Sequence, residues 1–204
     1  EWDPVRQTFF EQVYEAPEML RIQSTLVTVS GATANVTGTN LDNIITYDVN
    51  THVVAVDGLS FDLDLVTPLV PTTVAIDGLA GTDQLTVLNS PGKDFVTLGV
   101  ASGGANFAVG RALTTVSTET TIFNANGGQD VATFSDSAGN DTFTATPTQA
   151  TMTGAGYLSR TNGFRVNNAN ATNGGNDTAR LFDSAGADNF VANANLNSAT
   201  LEGT

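Results

Sequence analysis

Two sets of aspartates recur along the chain at one spacing: Asp83, Asp130 and Asp177 form the first, Asp94, Asp141 and Asp188 the second. Within each set successive members stand 47 residues apart, and the sets are offset by 11. Carboxylates in fixed register can do two kinds of chemistry. They can accept backbone N–H groups and close turns, or they can offer several oxygens to a hard cation such as calcium. Both readings apply to all six aspartates. The turn reading carries more weight, because Asp does that work so often. Catalysis fits less well. Acid–base chemistry needs paired carboxylates in one cleft, or a base beside a cation, and needs them once, whereas these acids come in copies. The seven basic residues, Arg6, Arg21, Lys93, Arg111, Arg160, Arg165 and Arg180, are scattered. His52 stands alone in YDVNTHVV, where a strand histidine reads as a surface residue. Neither a nucleophile elbow nor a glycine-rich phosphate loop is present, and the chain reads as a non-enzyme.

The elements that carry the acids repeat with them. GTDQLTVLNSPGKDFV (81–96), GQDVATFSDSAGNDTF (128–143) and GNDTARLFDSAGADNF (175–190) align on Gly81, Gly128 and Gly175. They align again on Gly92, Gly139 and Gly186, and on the apolar Val87, Phe134 and Leu181. The second half of the unit is looser: ATMTGAG (150–156) returns as ATLEGT (199–204). GTNLDNIITYDV (38–49) resembles a degenerate unit start. Within a unit, Thr, Val, Ile and Phe alternate with small residues, and Gly, Asn, Asp and Ser punctuate them, which is the pattern of short strands and turns. No helical period is visible after residue 25.

Repeated units of strands predict an all-β fold, a parallel β-helix (β-solenoid) built from 47-residue units. Two coils of about 23 residues would fit one unit, with coils about 4.8 Å apart. Glycines and aspartates then fall at stacked corners, and Val, Leu, Ile and Phe form inward ladders. A β-sandwich would show the same alternation but gives no reason for equally spaced copies. Residues 38–204 form the predicted solenoid domain. Residues 1–37 are set apart as a cap or assembly segment. There Asp3 as N-cap and Pro4 at the first helical position open VRQTFFEQVYEAPEML, with Phe9, Phe10, Val13 and Tyr14 on an apolar face. That short helix is expected to cap one end of the sheet stack.

Composition narrows the partners. Against 21 acidic residues stand 7 basic ones, for a formal net charge of −14. Such a surface repels nucleic acid and anionic membranes and attracts cations. No apolar run approaches the roughly 18 residues of a membrane helix, so insertion is not expected. There is no cysteine, hence neither a disulfide framework nor thiolate chemistry. The chain opens on Glu1 rather than Met and stops at Glu202-Gly203-Thr204, inside a unit, which predicts a removed leader or a piece of a longer protein.

The unit start, with GGQDVATFSDSAGNDTFTATPTQATMTGAGY (127–157) and GGNDTARLFDSAGADNF (174–190), resembles the repeats of very large bacterial cell-surface proteins of the planctomycete type. The resemblance covers roughly residues 38–204. It implies export to the cell surface or beyond, a β-solenoid fold, and a structural or adhesive role. GGQD and GGND also resemble, more weakly, the calcium-binding nonapeptide repeats of secreted toxins. They lack that motif's inner glycine, and the aspartates are 11 rather than nine residues apart. The expectation is therefore a non-catalytic extracellular segment of a filament, sheath or adhesin stalk. Copies would join head to tail into a fibre, since a heterologous contact that does not close makes fibres. Cell-surface glycans are a further expected partner. The alternative is a calcium-binding, β-roll-like adhesion module, with Asp83, Asp94, Asp130, Asp141, Asp177 and Asp188 as ligands.

Overall fold

The computed structural model describes residues 26–66, 69–185, 189–193 and 198–202. The expected N-terminal helix and Asp188 lie outside these residues. The chain opens with the hairpin β1 (Val27–Ser30) and β2 (Thr33–Thr37). There follow β3 (Ile44–Asp48), β4 (Val53–Val56), β5 (Leu59–Asp62) and a short 3-10 turn, Leu63–Leu65. Next come β6 (Thr73–Asp77), β7 (Gln84–Leu88), β8 (Phe95–Gly99), β9 (Ser102–Asn106) and β10 (Ala112–Val116). The third group is β11 (Thr120–Asn124), β12 (Val131–Ser135), β13 (Thr142–Thr146), β14 (Gln149–Gly154) and β15 (Tyr157–Asn162). The last is β16 (Val166–Asn170), β17 (Thr178–Leu181), β18 (Asn189–Asn193) and β19 (Ser198–Glu202).

These strands form two facing sheets and confirm the all-β parallel β-solenoid. The first runs β1-β2-β6-β10-β9-β8-β12-β16-β19-β18, the second β17-β13-β14-β15-β11-β7-β3-β4-β5. The chain crosses from one sheet to the other at each corner, and its crossing strands stack in parallel: β3, β7, β11 and β15 give four successive levels of the second sheet. The stack takes in residues before 38, because β2 pairs in parallel with β6.

The coils differ from the expected pair of about 23 residues. A parallel neighbour lies 35–40 residues away, as in Val131↔Val166 and Ile44↔Gln84. The reason is a three-stranded antiparallel meander in each unit: β3-β4-β5, then β8-β9-β10, then β13-β14-β15. Each of the last two runs outward along the stack, folds back, and delivers its final strand beside the previous level. The meanders alternate sheets, the first and third lying in the second sheet and the middle one in the first. Equivalent residues 47 apart therefore sit on opposite sheets, and the expected ladders of like residues do not form along the repeat. The meanders begin at Ile44, Phe95 and Thr142, and the hairpin β18-β19 opens at Asn189. The degenerate start at 38–49 is thus the lead into the first meander.

Burial alternates along the strands, as in TVAID of β6. Inward residues stack by level, Tyr47 on Val87 on Phe123 and Leu98 on Phe134, and all are wholly or almost wholly buried. The Phe134 and Phe143 rings meet edge to face with centroids 5.4 Å apart. Part of the core is polar: the hydroxyls of Thr115, Thr118 and Thr121 form a chain at 3.0 and 3.1 Å, and Thr161 donates to Asn167 at 2.7 Å. These four threonine hydroxyls all have partners, which is what makes a polar patch in the core tolerable. No helix among the described residues is long and apolar enough to cross a membrane.

Candidate functional site

The corners hold the chain's repeated chemistry. Asn43, Asp83, Glu119, Asp94, Asp130, Asp141 and Asp177 each occupy the residue just before a strand. Each later carboxylate reaches back one level and accepts the backbone N–H of its neighbour. Asn43 N donates to Asp83 Oδ1 at 2.7 Å, and Asp83 N to Glu119 Oε2 at 2.8 Å. Asp94 N donates to Asp130 Oδ1 at 2.8 Å, and Asp141 N to Asp177 Oδ1 at 2.9 Å. At these positions the strand ladder has ended and the corner amides need acceptors, which the acids supply.

A second lock closes the three corners that lead into the meanders on themselves. Asp94 accepts the N–H of Ser90 at 2.9 Å and the Ser90 hydroxyl, and also the N–H of Ala108 at 2.7 Å. Asp141 accepts Ser137 N at 2.9 Å, the Ser137 hydroxyl at 2.8 Å and the Tyr157 hydroxyl at 2.7 Å. In the first meander Asn43 takes this role toward Thr39 N at 2.6 Å. The spacing is always four residues, so a Ser or Thr followed by Asp or Asn is the corner's local signature. Glycines complete the packing. Gly128 and Gly175 have φ of +76° and +89°, and a Cβ on either would collide with the carbonyl oxygen of Gly92 or Gly139 one level below.

The structure thus splits the six predicted site residues. Asp94 pairs with Asp130, and Asp141 with Asp177, while Asp83 stacks between Asn43 and Glu119. Asp83, Asp94, Asp130 and Asp141 are buried and Asp177 is exposed. Burial, reinforced by the Asp94 charge, lifts the Asp130 carboxyl to about 6 against its Asp94 N–H bond. Burial, with Glu119, Asp42 and Asp57, raises Asp83. Asp141 is desolvated too, yet the donors Tyr157 and Ser137 outweigh that and hold it below the usual carboxylate range.

One corner gathers three acids. Carboxylate oxygens of Asp136, Asp141 and Asp177 lie within 4.8 Å of one another, so this cluster could hold a metal ion. Asp136 was not among the predicted ligands. Its signal is the DSAG shared by 134–143 and 181–190, but the preceding unit has Asn89 there, so the acid does not recur in all three copies. Asp136 is already used by the fold: it accepts Thr172 N at 3.2 Å and Asn173 N at 3.2 and 3.0 Å.

His52 departs from its expected place on a strand surface. It lies in the turn between β3 and β4 at φ +55°, fully buried. Its Nδ1 is 2.6 Å from Asp64 Oδ1, which also accepts Arg111 Nη2 at 3.2 Å, and Arg111 Nη1 donates to the Val49 carbonyl. The trio clips the 3-10 turn to two neighbouring turns. Sequence reasoning missed it because its members are 12 and 47 residues apart and outside the repeat. Among the described residues, the groove lined by Thr46, Asp48, Thr86 and Asn124 contains none of the paired corner aspartates. Comparison of the chain with protein-family models, with curated proteins and with solved structures finds no match in any of the three.

Proposed function

We propose that the chain is a non-catalytic structural segment of a bacterial cell surface, a piece of a filament, sheath or adhesin stalk whose copies join end to end. The observation that carries this reading is the use made of the acids: the repeated carboxylates are spent on backbone N–H groups that bind one level to the next. A stack organised in this way is suited to transmitting load along its axis. Among the described residues β1 and β5 close one end of the two sheets, and each pairs on one side only. An edge of that kind can accept a strand from another copy. Against catalysis, the histidine–aspartate pair has its ring wholly buried, where no substrate meets it. Export and a surface location rest on the likeness of the repeats to those of large surface proteins and on the absence of cysteine. Sedimentation velocity over a hundredfold concentration range tests assembly. Growth into long species supports it, and a monomer at every concentration contradicts it.

A second reading has its own observation. The cluster of Asp136, Asp141 and Asp177 favours a calcium-responsive adhesion module, glycan binding included, that stiffens when the ion arrives. It predicts a loss of β structure by circular dichroism in chelator, which the purely structural reading does not.

A further inference from the structure

The corner between β7 and β8 differs from its counterpart one unit later. Asn89 is wholly buried, and neither its amide oxygen nor its amide nitrogen has a partner. Asp130 is 1% exposed, and its Oδ2 also lacks a partner. Asp94, 0% exposed, lies between them, joined to Asp130 through its own N–H and to Ser90, the residue after Asn89. Three unmet polar atoms in one fully buried corner are costly, and such groups in folded proteins are ordinarily matched by a bound partner.

The cause is a loop length. In the later corner, Asp136 occupies Asn89's place and receives the N–H groups of Thr172 and Asn173, from the loop 171–177 above it. The loop above Asn89 spans 125–130 and is one residue shorter, and it brings Asn89 no such donor. The Asn89 amide lies beside the Asp130 carboxyl without completing a hydrogen bond to it. Among the described residues neither Asp94 nor Asp130 has an ion-pair partner, and the Lys93 ammonium sits over the Phe95 ring, 5.0 Å from its centroid.

We propose that the Asn89–Asp94–Asp130 corner binds one small hard cation, of the calcium or sodium class, through Asn89 Oδ1 and carboxylate oxygens of Asp130 and Asp94. Oxygen-only donors select such ions. An anion is excluded by two carboxylates, and a water alone would satisfy hydrogen bonds but leave the buried charge uncompensated. The site is separate from the Asp136 cluster. It rests on the second reading only in placing cations at corners, and its test distinguishes the two.

The experiment uses the full chain, stripped with chelator and exchanged into choline chloride buffer. Calcium and sodium are then added separately, and binding is followed by calorimetry and thermal melting. Asp130→Asn should weaken binding of the responsive ion at least tenfold. Asn89→Asp, which recreates a three-carboxylate corner, should tighten calcium at least tenfold and make the chain less stable in chelator. Asp136→Asn should leave this site's affinity unchanged. Response to sodium alone supports the proposal with the smaller charge. Melting that ignores both ions overturns it. So does binding that is lost only in Asp136→Asn, which returns the ion to the other cluster. If Asp130→Asn fails to fold, Asn89→Asp decides: calcium affinity equal to the parent's contradicts the site.

Discussion

At the scale of single residues, the corner aspartates work as acceptors whose loss strands buried donors. Asp141→Ala leaves the Ser137 N–H, the Ser137 hydroxyl and the Tyr157 hydroxyl without their acceptor. The expected cost is about 3 kcal/mol or more in urea unfolding, since each buried unsatisfied group costs about 1–3 kcal/mol. Asp141→Asn, which keeps one acceptor oxygen, should cost clearly less. The protonation of two corners pulls in opposite directions. Asp83 is raised by burial and by Glu119, Asp42 and Asp57, so the stability it contributes is present below its unfolded pKa and lost as pH rises through its folded one. Asp141 is lowered, so its contribution is present above the unfolded value and lost as pH falls through the folded one. Asp83→Asn should therefore flatten the fall in melting temperature between about pH 4 and neutrality. An unchanged pH profile in that variant would remove Asp83 from the account.

Elements depend on how closely levels approach. Gly175→Ala places a methyl group against the Gly139 carbonyl at a φ of +89°. The expected loss is on the order of 3 kcal/mol, more than an exposed Gly→Ala change causes, and Gly139→Ala, whose Cβ meets only the Ser137 hydroxyl at 3.4 Å, should cost less. Phe134→Ala empties a fully buried site beside Phe143 and should cost about 3–5 kcal/mol in the same assay. Much of this level was legible in the sequence. Gly128 and Gly175 mark stacked corners, and the alternation in VATFS-like stretches marks strands. What could not be read is which strand lies beside which. Period-two alternation is the same for parallel and antiparallel pairing, so VATFS and QATMTG look alike although β12 pairs in parallel on both sides and β14 in antiparallel. The 47-residue spacing therefore revealed the unit but hid the meander, and with it the alternation of sheets. Asp136 was lost for a related reason, since Asn89 breaks its column. His52 was lost because its burial depends on Asp64 and Arg111, which no local pattern ties to it.

For the whole molecule, the ten and nine strands of the described residues lie in continuous sheets about 4.8 Å apart, a stack roughly 45 Å long with strands across its axis. End-to-end joining would continue both sheets from copy to copy, and the net charge of −14 would keep rods apart side by side while favouring growth along the axis. Adding salt should accordingly promote lateral bundling, visible as thicker fibres, without being required for the fibres themselves. The most direct test of the central claim is electron microscopy of the concentrated protein in calcium and again after chelation. The account predicts long fibres of uniform width that survive chelation, with strands perpendicular to the fibre axis. Compact single particles in both conditions would contradict it, and fibres that fall apart on chelation would transfer the weight from backbone stacking to the acidic corners as ion sites.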